Sequence, residues 1–363
     1  MTLHDAAVLA VAGARDRRLL ASAVRLLTNR FTDDDLAAGP PPGPGETLAG
    51  WLMRRTGPRG LSARELNQRA AALLHRGASL GLTPVALGTD LYPPRLAAIG
   101  DPPALLWVRG GVAALAAPCL GVVGSRAATA HGLAMARHLA ADLALAGWTI
   151  VSGLARGIDR AAHDGALAVS GRTVAVLGSG PDRIYPPEHH NLADAIAASG
   201  AVVSEFAPGT PPRAWQFPLR NRLISGLSVA VVVVEAPEKS GALITAGAAL
   251  DQGRDVLVVP GAAAGGRNRG GHRLIRDGAK LVESAVDILD EVGYPAATLP
   301  EGDSAHHFGN VPEMTDFTVD DVARAEGISA HAALARLTEL ELSGRIQRVG
   351  GGRFVRSGSR VLP

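Results

Sequence analysis

The sequence predicts an α/β protein. A mainly parallel sheet covered by helices lies between an N-terminal helical region and a small C-terminal module of two helices and a hairpin. Three observations carry this reading. From about residue 84 to 292, short β-branched runs alternate with Ala-rich stretches of helical spacing, and such alternation folds into right-handed crossovers and a parallel sheet. Val229–Val234 is apolar throughout, as a central strand buried on both faces must be. Several of the runs end in glycine-bearing turns that open the next helix, the arrangement of a Rossmann-like fold with its ligand edge at the strands' carboxyl ends.

Taken in order, residues 1–80 read as a helical domain, with apolar helical spacing at Ala6–Val11, Leu19–Leu27 and Arg64–Leu74 and a Pro/Gly break at Pro40–Gly45. Strands are expected at Leu120–Gly124, Trp148–Gly153, Thr173–Gly178, Ala201–Glu205, Val229–Ala236 and Asp255–Gly261, with Leu105–Arg109 as a further edge strand. The helices between them are expected at Ala128–Ala146, Ile158–Val169, Leu192–Ser199 and Leu243–Gln252. Residues 293–312 read as a linker. Residues 313–363 follow with helices at Val319–Glu326 and Ala330–Ser343, then a hairpin of Arg345–Val349 and Arg353–Arg356. Helix, helix and hairpin at this size resemble a winged helix.

Composition narrows the function. The 363 residues are 47% hydrophobic, enough for large cores in two or three domains. Aromatics make up only 4%, which argues against OB and RRM folds, because those stack bases on several aromatic side chains. The net charge is only +2, so any electrostatic footprint must be a local patch. Lysine occurs only at Lys239 and Lys280; the cations are otherwise arginines, whose planar forks bind phosphate bidentately. The single Cys119 leaves no internal disulfide and no cysteine zinc site, and the adjacent His189–His190 and His306–His307 pairs lack metal-ligand spacing. With no signal-peptide pattern and no long apolar run, a soluble cytoplasmic protein without a membrane, metal or cofactor partner is expected.

Five motifs fall at the predicted ligand edge. Gly124-Ser125-Arg126 closes one strand; its glycine permits close backbone approach, the helix start beyond it offers N–H groups to an anion, and Arg126 adds a permanent charge. A tight turn alone would need the glycine but not the arginine. Ser152-Gly153-Leu-Ala-Arg-Gly157-Ile-Asp159, with His163, closes the next strand. Asp159 and His163, four residues apart, read either as an acid/base couple or as a helix-start aspartate with a packed histidine. Phe217-Pro-Leu-Arg220-Asn221-Arg222 sets two arginines beside Trp215 and Phe217, one of which can stack a base. The two guanidinium groups face different sides if the segment is helical. Ser240-Gly241, with Thr245 beyond, opens another helix, and Arg267–Arg273 reads as a flexible basic loop. None of these offers a nucleophile with its own base, which predicts a binder and not an enzyme.

Together the motifs resemble the DNA-processing protein A family, called DprA or Smf. The matching residues are Tyr92-Pro93 with Leu96, Asp101-Pro-Pro103, Gly124-Ser-Arg126, Ser152 to Asp159 with Ala162-His163, Tyr185-Pro186, Ser204-Glu205, Phe217 to Arg222, Ser240 to Thr245 and Pro260-Gly261, in family order. The resemblance implies a Rossmann-like domain that binds and protects single-stranded DNA in a basic pocket, dimerises through that domain, and loads the recombinase RecA on the strand during natural transformation and recombination. It also implies an N-terminal helical domain similar to a sterile-alpha-motif fold and a C-terminal winged helix. Relatives often carry a pocket lysine shortly after the Tyr-Pro pair, where this chain has Pro187-Glu-His189-His190. The expected DNA-binding residues are therefore Gly124, Ser125, Arg126, Ser152, Gly153, Gly157, Phe217, Arg220, Asn221, Arg222, Ser240, Gly241 and Thr245. Arg345, Arg348 and Arg353 on the basic hairpin are expected as accessory contacts, either to duplex DNA or to a partner. A related fold occurs in phosphoribohydrolases and nucleotide-sensing proteins. A nucleotide-binding or phosphoribohydrolase-like protein using the same edge is thus the competing class, although the Pro-Gly-Gly-x-Gly-Thr-x-x-Glu pattern such enzymes resemble does not occur here.

Overall fold

The computed structural model describes residues 2–13, 23–24, 46–56, 62–293, 317–326, 329–342, 346–349 and 353–356. The predicted break at Pro40–Gly45, most of Leu19–Leu27 and the linker after residue 293 lie outside them. The chain divides into two compact units, Met1–Leu299 and Pro300–Pro363.

The first unit is built on a nine-stranded sheet of order β1-β2-β6-β5-β4-β3-β7-β8-β9. Its strands are β1 (Thr83–Ala86), β2 (Leu105–Gly110), β3 (Cys119–Gly124), β4 (Thr149–Ser152), β5 (Thr173–Val176), β6 (Ala201–Ser204), β7 (Ala230–Val234), β8 (Asp255–Val258) and β9 (Lys280–Leu281). Neighbours from β6 across to β9 are parallel. The β1/β2 and β2/β6 pairs are antiparallel. Every residue of β7 is buried, in keeping with its uninterrupted apolar run.

The longer helices among the described residues are α1 (Leu3–Gly13), α2 (Leu48–Thr56), α3 (Ala63–Ser79), α4 (Ala130–Leu145), α5 (Ile158–Ala168), α6 (His190–Ser199), α7 (Gln216–Leu227), α8 (Ala242–Asp251), α9 (Arg269–Arg276) and α10 (Ala285–Glu291). Two expectations need correction. Leu105–Arg109 is not an edge strand: β2 lies between β1 and β6, and Trp107 is fully buried. Its indole packs under α3, where a Cβ on Gly77 would strike the ring. Nor is Arg267–Arg273 a flexible loop, because α9 begins at Arg269 and its Gly270 and Gly271 N–H groups both donate to the Ala236 carbonyl. The two glycines that suggested mobility let this helix lie against the backbone of the β7 turn, where a Cβ on Gly270 would meet Ala236 and Pro237 carbonyls.

The second unit has α11 (Val319–Glu326), α12 (Ala330–Leu342) and the antiparallel hairpin β10 (Ile346–Val349) and β11 (Arg353–Arg356). Thr318 caps α11 by accepting from the Asp321 N–H, while its own N–H donates to the Asp321 carboxylate. Phe317, Val322, Ala333, Leu337, Ile346 and Phe354 form its core, with the Phe317 and Phe354 rings stacked at 6.3 Å.

Candidate nucleic-acid interface

The chain builds the sheet outward from β3 to β6 in one direction and from β7 to β9 in the other. Its topological switch point therefore lies between β3 and β7, where open α/β sheets bind ligands. Here the protein's own carboxylate fills that crevice. Glu235, just past β7, has a positive φ of 48° and is buried. It accepts from the Thr129 N–H at 3.0 Å and from the Thr129 hydroxyl at 2.5 Å. Thr129 in turn caps α4 by accepting from Gly132 N–H. The anion favoured at this helix start is thus internal.

The second turn is filled in the same way. Asp159 accepts from the N–H groups of Gly153 at 3.1 Å and Ala155 at 3.4 Å. Ser152 is buried and donates to the Val122 carbonyl. At the first helix start the Glu235 carboxylate takes the Thr129 N–H, and in the second turn Asp159 takes those of Gly153 and Ala155, so these donors are not offered to a ligand as expected. Asp159 and His163 do not pair either. His163 Nδ1 lies 2.7 Å from the Thr173 hydroxyl, which donates to the Ile150 carbonyl, so Nδ1 carries the hydrogen and the ring is neutral. The acid/base couple does not exist.

The side chains do converge. Ser125 is locked in place: its N–H donates to the Glu235 carbonyl, and its own carbonyl accepts from Ile158 N–H. A Cβ on Gly124 would strike the Val234 carbonyl, and one on Gly157, whose φ is +76°, the Ser125 carbonyl. Both glycines thus allow backbones to close around this turn and leave Arg126 pointing outward, exposed. Arg126, Gly153, Ala155, Arg156, Tyr185, Pro186, Phe217 and Arg220 line a pocket at the carboxyl ends of β3, β4 and β5, displaced from the plugged switch point. The Arg126 guanidinium lies 5.6 Å from the Phe217 ring centroid, and Tyr185 tilts against Phe217 at 5.4 Å.

Helix α7 splits its two arginines as the helical reading requires. Arg220 is buried and donates to the carbonyls of Gly153, at 2.7 Å, and Val176. Burial pulls its pKa down to about 10, against the pull of Asp159 beside it, so it stays charged at neutral pH. Asp159 is pushed above the usual carboxylate value by burial, with Arg220 and two backbone N–H groups opposing. Arg222 faces the other way, 2.6 Å from Asp101 and 2.9 Å from Glu205. Burial lowers its pKa, but the two carboxylates outweigh that and hold it above its ordinary value. Arg222, expected at the interface, thus has its charge paired inside the fold and does not line the pocket.

Asn221 bridges Arg220 Nε and the Gly241 carbonyl. Ser240, Gly241 and Thr245 form the start of α8 beside it, with Thr245 buried, and none of the three lines the pocket. Trp215 stands apart, more than half exposed and edge-on to Phe206. In place of the family's lysine, His189 is buried on the Leu154 carbonyl and His190 is exposed; neither lines the pocket. Sequence reasoning missed Arg156 and Tyr185. Arg156, more than half exposed, lies 2.5 Å from Glu188 and supplies the second surface cation of the pocket. Its signal was present as a charged residue between the glycines of the second motif. In the second unit Arg348 lies over the Phe354 ring at 5.0 Å and 3.5 Å from Glu341. Arg353 is half-buried, and Arg345 lies outside the described residues.

His163 makes stability depend on pH. Burial, with His189 and Arg220 nearby, drops its pKa to about 3, while in the unfolded chain it titrates near 6.5. A depressed histidine stabilises the fold fully above about pH 6.5 and loses that contribution as pH falls toward 3. About 1.4 kcal/mol per pH unit gives a loss of about 2 kcal/mol between pH 7 and pH 5. Urea midpoints across that range are expected to flatten in His163→Gln, and an unchanged slope would refute the assignment.

The fold and site define a class: a Rossmann-like α/β protein with a cationic, aromatic-lined pocket at its central strand ends, followed by a winged-helix unit. Residues 84–293 match the family described as DNA recombination-mediator protein A, and residues 315–352 match the DprA winged helix domain. The chain belongs to the DNA recombination-mediator protein A family. It is 41% identical to protein Smf of Escherichia coli, over 73% of this chain and 75% of that one. The X-ray structure of DprA from Streptococcus pneumoniae superposes with a TM-score of 0.66 at 35% identity, covering 80% of this chain and 98% of that one. A structure of DprA from Helicobacter pylori, described for the single-stranded DNA binding mode of that protein, superposes with a TM-score of 0.53 at 28% identity, covering 58% of this chain and 95% of that one. Among the described residues no helix is long and apolar enough to cross a membrane, and no group of three or more His, Cys, Asp or Glu could hold a metal ion.

Proposed function

We propose that this chain is a cytoplasmic single-stranded DNA-binding protein that protects an incoming strand and loads RecA recombinase on it during natural transformation and recombination. The observation that carries the reading is the pocket where Arg126 packs on Phe217 beside Tyr185 and Arg156, above the buried Arg220. Guanidinium groups take phosphate and aromatic rings take a base, and a base is free to stack only on an unpaired strand. Gly124, Ser125, Gly153 and Gly157 shape the turns that hold Arg126 and Arg156 in place. Asn221, itself donating to the Gly241 carbonyl, accepts from Arg220 Nε, and Ser240, Gly241 and Thr245 at the start of α8 are proposed to border the strand. The DNA-processing names of its relatives and the family's description as a recombination mediator support the strand, and RecA as its recipient. The homodimer expected of such a protein is tested by sedimentation at micromolar concentration.

A nucleotide hydrolase using the same edge would need a nucleophile or base at the pocket. The described lining holds no carboxylate, histidine, serine or cysteine, and its polar side chains are three arginines and Tyr185, which favours a binder. Anisotropy with labelled oligothymidine, beside a duplex control and a nucleotide-hydrolysis screen, separates the readings. Affinity is expected to fall with salt at a log–log slope of about −0.7 per phosphate contacted. Salt-insensitive binding, or turnover of a nucleoside monophosphate, would reject the proposal.

The winged helix is proposed as an accessory contact. From Gly344 onward the chain carries Arg345, Arg348, Arg353, Arg356 and Arg360 with no acidic residue, and a basic wing can follow a phosphate backbone. A chain ending at Gly309 is expected to keep single-strand affinity while duplex affinity drops measurably. Complete loss of single-strand binding would make the wing the primary site.

A further inference from the structure

A second cavity opens directly from the pocket. It is a groove of about 410 Å³ between α4, α5 and the turn after Tyr185–Pro186, and it shares Arg126 and Arg156 with the pocket. Arg137 and Arg160 add two further cations along its length, against Asp164 and Glu188. The four arginines leave an excess of two positive charges over the two carboxylates. Ala127, Ala128, Leu133 and Ala161 supply apolar wall. The groove is built by close packing: a Cβ on Gly165 of α5 would strike the backbone of Arg137 on α4, so the two helices touch there and the Arg137 side chain stands beside the seam. Arg160 is held one turn from it by Asp164 at 3.4 Å. Arg137 is exposed and has no ion-pair partner among the described residues. Seven residues into a helix that rises about 1.5 Å per residue, it stands about 10 Å beyond the start of α4, well past the reach of a ligand confined to the pocket.

We infer that this groove is a second binding segment for the phosphodiester backbone: a strand seated in the pocket leaves it past Arg126 and Arg156 and runs between α4 and α5 to Arg137. The inference rests on the single-strand reading above and extends it to a footprint longer than the pocket. The groove suits backbone better than bases. Its cations are spread along a line, whereas the rings of Tyr185 and Phe217 lie in the pocket, and among the described residues no Phe, Tyr or Trp lines the groove, whose one ring, His189, is buried on the Leu154 carbonyl.

The test is the dependence on strand length, measured by anisotropy on the full chain with oligothymidines from a trinucleotide upward. Arg126→Ala is expected to weaken every length alike. For Arg137→Glu the loss is expected to grow with length, several-fold greater for long strands than for the trinucleotide, and the salt slope of the long strands to shallow by about 0.7 for each phosphate no longer bound. Arg137→Ala gives the same pattern more weakly, and circular dichroism checks that both variants fold. If Arg126→Ala weakens binding while Arg137→Glu leaves long and short strands equally affected or unaffected, the groove does not carry the strand, and an acidic protein segment becomes its alternative occupant. If Arg126→Ala changes nothing at any length, the pocket reading itself fails.

Discussion

Arg220→Ala is expected to destabilise the first unit by about 3–5 kcal/mol, the scale for leaving a buried charge uncompensated, because Arg220 is the cation that opposes the buried Asp159. The guanidinium ties the ends of β4 and β5 together through the Gly153 and Val176 carbonyls. Its loss strands both acceptors and leaves the buried Asp159 with only two backbone N–H donors. The double variant Asp159→Asn/Arg220→Met removes both charges and keeps most of the volume, so much of the stability is expected to return. Single-strand affinity is expected to stay low in it, because the cation beneath the pocket is gone. Chemical unfolding and anisotropy on the same three proteins separate the two roles. A loss under about 1 kcal/mol in Arg220→Ala, below the usual effect of orphaning a buried polar group, would show that Arg220 does not hold the sheet edge. Full affinity in the double variant would reduce Arg220 to scaffold.

This arginine also shows where sequence reasoning stops. The β3 to β8 strands and the helices between them were legible because short β-branched runs alternate with Ala-rich stretches and several of the runs end at glycine turns, and the observed bounds differ from the expected ones by a few residues, as at Ile158–Ala168. The glycine and arginine motifs were rightly placed at one sheet edge. What could not be read was which charges the fold would consume. Arg220 and Arg222 are two residues apart in one motif, yet one lies under the pocket and the other between Asp101 and Glu205, partners supplied by distant stretches of chain. Glu235 carries no local mark of its task, since its target at Thr129 is 106 residues away. Two strands were missed for a different reason: β1 carries Pro84 and only two buried residues, β9 spans just two residues, and without β1 the strand Leu105–Gly110 looked like an edge.

Those internal pairings single out Arg126 as the residue whose loss should reach binding without reaching the fold. It is exposed, and its side chain rests on Phe217 rather than on a carboxylate. The turn that carries it is fixed by backbone hydrogen bonds of Ser125 that any side chain at 126 would leave intact. Arg126→Ala is therefore expected to change unfolding stability by no more than about 0.5 kcal/mol, the usual range for an exposed substitution. Single-strand binding should weaken by about 1.5–3 kcal/mol, the scale of a charge-assisted hydrogen bond, which at 1.4 kcal/mol per decade is roughly 10- to 150-fold in Kd. Arg126→Lys keeps the charge but not the planar fork or its stacking on the ring, so its affinity should fall between the two. Titrations at several salt concentrations distinguish the contributions: alanine should shallow the log–log slope by about 0.7, the value for one phosphate, whereas lysine should retain it. A well-folded Arg126→Ala protein that binds as tightly as the parent would place the strand on another face of the molecule, because no other exposed arginine in the pocket is so free of acidic partners: Arg156, its counterpart, is already engaged with Glu188.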